Sequence, residues 1–84
     1  MRLTIYSKPG CHLCDEMKST VHRILSTRSA EPAISVDEIE ISSDPALLDR
    51  YGLEIPVLLI DGRKAAKYRV SEQELTQMLN RRRG

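Results

Sequence analysis

The spacing of apolar residues changes repeatedly along this chain, and each change predicts an element. Leu3-Thr4-Ile5-Tyr6 alternates with a period of two and stops at Pro9-Gly10, so residues 2 to 7 read as a strand. From Cys11 the spacing becomes three or four. Cys14, Met17, Val21, Ile24 and Leu25 form one stripe of an amphipathic helix that is expected to run to about Ser29. Ile34 to Ile41 is rich in β-branched residues and predicts a second strand, with Ile39 and Ile41 facing the same side.

Asp44-Pro45 supplies an N-cap followed by a proline at the first helical position, and Ala46 to Tyr51 fills a short helix that stops at Gly52. Val57-Leu58-Leu59-Ile60 is a continuous apolar run, the pattern of a strand covered on both faces. Asp61-Gly62 signals a hairpin, with Arg63 to Tyr68 as the returning strand. Ser71-Glu72-Gln73-Glu74 has capping-box spacing, Val70 is placed to staple against Leu75, and Leu75, Met78 and Leu79 form the inner face of a last helix. The order is β-α-β-α-β-β-α. A helix after each of the first two strands implies parallel, right-handed crossovers, and the hairpin adds an antiparallel strand. The expected fold is α/β, a four-stranded mixed sheet flanked by helices.

Composition narrows the function classes. The 84 residues suit one domain, 1–84, that buries only about 60% of its unfolded surface. With 40% hydrophobic and 30% charged residues, the chain is an ordinary globular sequence rather than a disordered one. A net charge of +1 gives no signature for nucleic acid or a membrane surface, and neither is expected as a partner. Arg81-Arg82-Arg83 fits favourable charge at a helix C-terminus, since a nucleic-acid role would need interleaved aromatics. The N-terminus lacks a secretory apolar core and the chain has no larger cysteine framework, so a reducing cytoplasm is expected. A monomer is expected as well.

The chemistry lies in the only two cysteines, Cys11 and Cys14. A disulfide at this separation closes almost no loop, so it is poorly suited to stabilisation and better suited to reversible redox chemistry or a metal. Cys11 falls at a helix start, where free N–H groups and the dipole favour an anion, and such positions can bring a cysteine pKa to about 3.5–7.5. Cys14 lies one turn further in. The placement makes Cys11 the attacking sulfur and Cys14 the resolving one. Lys8 could add positive potential and His12 could favour a thiolate when protonated, while Asp15 and Glu16 oppose both. One chain supplies half of a usual zinc set, so no metal is expected in a monomer, and a dimeric zinc or iron–sulfur site stays open. A non-enzymatic module that binds a partner in the same groove also stays open.

Cys-x-x-Cys on the first β-to-α turn of this order of elements resembles the thioredoxin fold, and at this length a glutaredoxin. Ile5-Tyr6-Ser7-Lys8-Pro9-Gly10-Cys11-His12-Leu13-Cys14 is similar to the glutaredoxin opening, and Ile55-Pro56-Val57 stands in the place of that family's cis-proline segment. The stretches Pro9 to Glu16, Asp44 to Leu48 and Tyr51 to Val57 resemble a group of short bacterial glutaredoxin-like proteins. The resemblance implies a thiol–disulfide oxidoreductase with Cys11 and Cys14 as its dithiol. It also implies that Ile55-Pro56 is cis, lies against the cysteines and shapes the substrate groove, where the backbone of Ile55 pairs with a bound peptide or glutathione. Lys8 and His12 complete the expected substrate-binding set. No cofactor is expected beyond an electron donor, glutathione or a reductase, and the partner is a disulfide-containing protein or small thiol.

The chain departs from the glutaredoxin pattern in two places. His12-Leu13 replaces the usual Pro-Tyr between the cysteines. Lys67-Tyr68-Arg69-Val70-Ser71 replaces the Gly-Gly and Asp that hold glutathione, so the resemblance does not carry glutathione binding over. Arg69 and Ser71 at a helix start are weak substitutes for a carboxylate site.

Overall fold

A computed structural model describes residues 1–27 and 34–83, with the side chains of all of these except 82 and 83. The elements follow the expected order: β1 (Arg2–Ser7), α1 (His12–Thr27), β2 (Ser35–Glu40), α2 (Pro45–Tyr51), β3 (Val57–Ile60), β4 (Arg63–Lys67) and α3 (Glu72–Arg83). The expected end of the first helix near Ser29, and the side chains of Arg82 and Arg83, lie outside the described residues.

The four strands form one mixed sheet in the order β2-β1-β3-β4. β2 runs parallel to β1, as a crossover through α1 requires. The second crossover differs from expectation, because β3 is antiparallel to β1. A parallel return has to carry the chain back along the whole strand. The seven residues of α2 rise only about 10 Å, against roughly 20 Å for a six-residue strand. The chain therefore re-enters the sheet at the end where it left. β4 then pairs antiparallel with β3 through the Asp61-Gly62 turn, where both residues have positive φ, 50° and 84°, as a tight hairpin of this hand demands.

Alternation along β1 sorts the core into two. Leu3 and Ile5 join Leu58 and Ile60 of β3 beneath α1 and α3, with Met17, Val21, Ile24, Val70, Leu75 and Leu79. On the opposite face Val57 and Leu59 pack with Ile41 and Tyr51, and Tyr6, Leu47, Leu48 and Ile55 close around them. β3 is buried along its whole length because helices lie on both sides of it. Ile41 is fully buried, whereas Ile39 is 37% exposed. Ile39 lies in β2, an edge strand, whereas Ile41 follows the end of that strand and packs with Tyr51, Val57 and Leu59.

Several local signals reappear as contacts. The Asp44 carboxylate accepts from the N–H groups of Ala46 and Leu47. Ser71 and Glu74 form the reciprocal capping box at 3.1 and 3.2 Å. Gly52 ends α2 with an ordinary right-handed conformation. Glycine is needed there because a Cβ would overlap the Leu48 carbonyl oxygen.

One surface cluster makes stability depend on pH. His22 Nε2 lies 2.9 Å from Glu38 Oε2, and the Lys18 ammonium is 3.6 Å from the other oxygen. The hydrogen bond with His22, then the charges of His22 and Lys18, outweigh desolvation and hold the Glu38 carboxyl below its usual range. A depressed folded-state value stabilises the fold above the unfolded pKa, and that contribution disappears as pH falls through the folded value. Glu38→Gln should therefore flatten the acid limb of a stability-against-pH curve, with a loss near neutrality no greater than about 1 kcal/mol. Urea titrations between neutral pH and pH 3 measure this, and an unaltered acid limb would refute it.

Candidate active site

The carboxyl end of β1, the amino end of β3 and the carboxyl end of β4 meet at one end of the sheet. Tyr6 is paired with Val57, and Val57 with Lys67. The loop that carries Cys11 leaves β1 there, and Pro56 immediately precedes Val57. This is the end at which the sequence-predicted residues gather.

Gly10 turns the loop with φ +73° and delivers Cys11 to the residue before α1. Cys11 and Cys14 are paired as a disulfide, their Cα atoms 5.2 Å apart. Their environments differ. Cys11 is partly exposed, whereas Cys14 is 1% exposed and faces the core from the first turn. The backbone N–H of Cys14 donates to Cys11 Sγ at 3.1 Å, and the N–H of Asp15 donates to the Cys11 carbonyl at 3.2 Å. A free amide of the helix start is thus directed at the outer sulfur, where negative charge is favoured.

Lys8 is partly buried, and its ammonium donates to the Gly52 carbonyl at 3.2 Å, tying the cysteine loop to the end of α2. His12 is exposed on the first residue of α1. The Ile55-Pro56 peptide is cis, as the resemblance implied, Pro56 is fully buried, and Ile55 packs on the α2-side core. The Pro56 carbonyl is taken by the N–H of Tyr68 at 2.8 Å.

A groove of about 630 Å³ opens between the outer face of α1 and the segment joining β4 to α3. His12, Leu13 and Glu16 line one wall, and Tyr68, Arg69 and Val70 line the other. Ser71 offers little to a ligand here, because its hydroxyl already accepts from Glu74 and the Glu74 carboxylate occupies the same helix start. Sequence reasoning placed Tyr68 at the end of a strand. Its φ of +68° instead ends β4 at Lys67, and its hydroxyl donates to the Leu53 carbonyl at 3.1 Å. Nothing in the local pattern signals that contact, which spans fifteen residues.

Among the described residues, no group of three or more His, Cys, Asp or Glu side chains could hold a metal ion. Among the same residues, no helix is long and apolar enough to cross a membrane.

Residues 2–80 match the family model described as glutaredoxin-like domain (DUF836). A glutaredoxin-like protein of Dictyostelium discoideum is 23% identical over 77 residues, which cover 89% of this chain and 71% of that protein. Among solved structures, the structural-genomics target XcR50 from X. campestris superposes with a TM-score of 0.77 at 29% identity, covering 94% of this chain and 96% of that one. The germline-specific thioredoxin Deadhead of Drosophila melanogaster superposes with a TM-score of 0.60 at 26% identity, covering 95% and 78%.

Proposed function

The chain belongs to the glutaredoxin-like domain family, and from that premise we propose that it is a thiol–disulfide oxidoreductase in which Cys11 attacks and Cys14 resolves. The family, the thioredoxin fold and the adjacent cysteine pair together support a redox role. The assignment of the two sulfurs is carried by one observation. The partly exposed sulfur is the one that receives an amide N–H from the helix start, while the other is buried a turn behind it.

The reaction starts from the dithiol. The Cys11 thiolate attacks one sulfur of a substrate disulfide, a Cys11–substrate bond forms, and the substrate's other sulfur leaves as a thiolate that takes a proton. Cys14 then gives up its proton and attacks Cys11 Sγ, which expels the second substrate thiolate. Two electrons pass to the substrate, and the Cys11–Cys14 disulfide remains. A dithiol donor, or two equivalents of glutathione, restores the starting state.

Ile55 and Pro56 shape the substrate groove through their backbone, Pro56 itself being fully buried, and the Ile55 backbone is available to pair with an extended segment. His12 stands exposed at its dithiol end. Lys8 supports the site by holding the cysteine loop on Gly52, and its charge favours the thiolate. The substrate is a disulfide-bearing protein or small molecule. The protein works as a monomer in the cytoplasm and needs no bound cofactor.

The test is iodoacetamide alkylation of the reduced protein as a function of pH, with the labelled cysteine located by peptide mass spectrometry. Cys11 should react first and remain reactive well below the ~8.5 at which an ordinary thiol is half ionised. If neither cysteine reacts faster than a free thiol and dithiothreitol-driven disulfide reduction is absent, the proposal fails.

A further inference from the structure

Tyr68 holds a backbone conformation that tyrosine disfavours. Its φ of +68° lies in the left-handed region, where a residue that merely turned the chain would be glycine or asparagine. Two hydrogen bonds keep it there, and both go to the segment in front of β3. Its N–H donates to the Pro56 carbonyl at 2.8 Å, and its hydroxyl donates to the Leu53 carbonyl at 3.1 Å. The Lys67 ammonium sits 5.6 Å from the ring centroid. Other bonds secure the middle of the same segment: the Glu54 N–H donates to the Tyr51 carbonyl at 2.8 Å, and the Glu54 carboxylate pairs with Lys64. The side chains at the junction remain open to solvent. Tyr68 is 44% exposed and Leu53 93%, and the only other exposed large apolar residue among those described is Ile39.

We propose that Tyr68 is a positioning residue that pins the Leu53–Pro56 segment to the end of β4. It thereby fixes the backbone of Ile55, against which an extended stretch of a polypeptide disulfide pairs. The inference rests on the redox reading above and concerns substrates that carry a peptide backbone. A free Leu53 carbonyl would loosen one of the ties on the segment, and the added cost of ordering it appears in association rather than in sulfur chemistry. A small disulfide with no backbone to pair gains nothing from the clamp.

The experiment compares the wild type with Tyr68→Phe, which loses only the hydroxyl, and Tyr68→Gly, which accepts a left-handed backbone without strain. Dithiothreitol is the reductant. The substrates are a synthetic peptide with one disulfide and hydroxyethyl disulfide. Both variants should raise KM for the peptide about fivefold, the size of one lost hydrogen bond. The pH profile of Cys11 alkylation should match the wild type, and the KM for hydroxyethyl disulfide should rise less than that for the peptide. Amide hydrogen exchange at Leu53, Glu54 and Ile55 should be faster in both variants. An unchanged peptide KM, an equal rise for the two disulfides, or full recovery by glycine would overturn the proposal. A wild type inert towards both disulfides would sink the redox reading instead, and the exchange data would then judge the clamp alone.

Discussion

Cys11→Ser should reduce dithiothreitol-driven disulfide reduction to the uncatalysed background, whereas Cys14→Ser should carry out the first half of the reaction and stop. The difference follows from where the two sulfurs sit. A serine hydroxyl at the helix start is not appreciably ionised near neutrality and forms no bond to a substrate sulfur, so the amide that Cys14 directs at position 11 has no anion to stabilise. With Cys14 replaced, the Cys11 thiolate still attacks, but no buried thiol waits behind it to release the product. The mixed disulfide then accumulates. Intact-mass spectrometry under non-reducing conditions should show one adduct per Cys14→Ser chain after incubation with a peptide disulfide, and dithiothreitol should remove it. The Cys11→Ser chain should carry none. An adduct on Cys14 in the Cys11 variant, with none on Cys11 in the Cys14 variant, would reverse the roles.

The parts of this molecule written in short-range patterns were readable from the chain. The capping box is three residues long and its bonds form where Ser71 and Glu74 placed them. Asp44 caps α2, and Asp61-Gly62 turns the hairpin with two positive φ angles. The dithiol belongs with these, because a helix start and two cysteines a turn apart are local facts.

What escaped the sequence depends on distance through the fold. The direction of β3 is decided by whether α2 is long enough to cross the sheet, a comparison of lengths that the β-α-β order does not express. Lys8 could be placed near the cysteine loop, yet its partner is a carbonyl forty-four residues away. Tyr68 reads as the last residue of a strand, but its N–H is held by the Pro56 carbonyl and its hydroxyl by the Leu53 carbonyl, contacts that no local pattern expresses. Ile39 and Ile41 share a pattern but differ in burial, since Ile39 lies in an edge strand and Ile41, just past its end, packs against Tyr51, Val57 and Leu59, residues distant in sequence.

The largest effect on stability is expected at Leu58, with Leu53 as its counterpart. Both are leucines five positions apart, and hydropathy alone does not separate them. Leu58 is fully buried in β3, facing Ile5 across one ladder and Ala66 across the other, beneath α1 and α3. Leu58→Ala removes its contacts from a close-packed core that cannot collapse around the loss, because the sheet fixes both neighbouring strands. The cost should be about 2–5 kcal/mol. A domain of this size has a stability of about 4–13 kcal/mol in total, so the variant should melt at least about 10 °C below the wild type. Leu53 is 93% exposed, and Leu53→Ala should stay within about 0.5 kcal/mol. Guanidinium titrations of the two variants decide the matter through their midpoints. Comparable shifts would mean that the face beneath α1 and α3 is not the packed core described above.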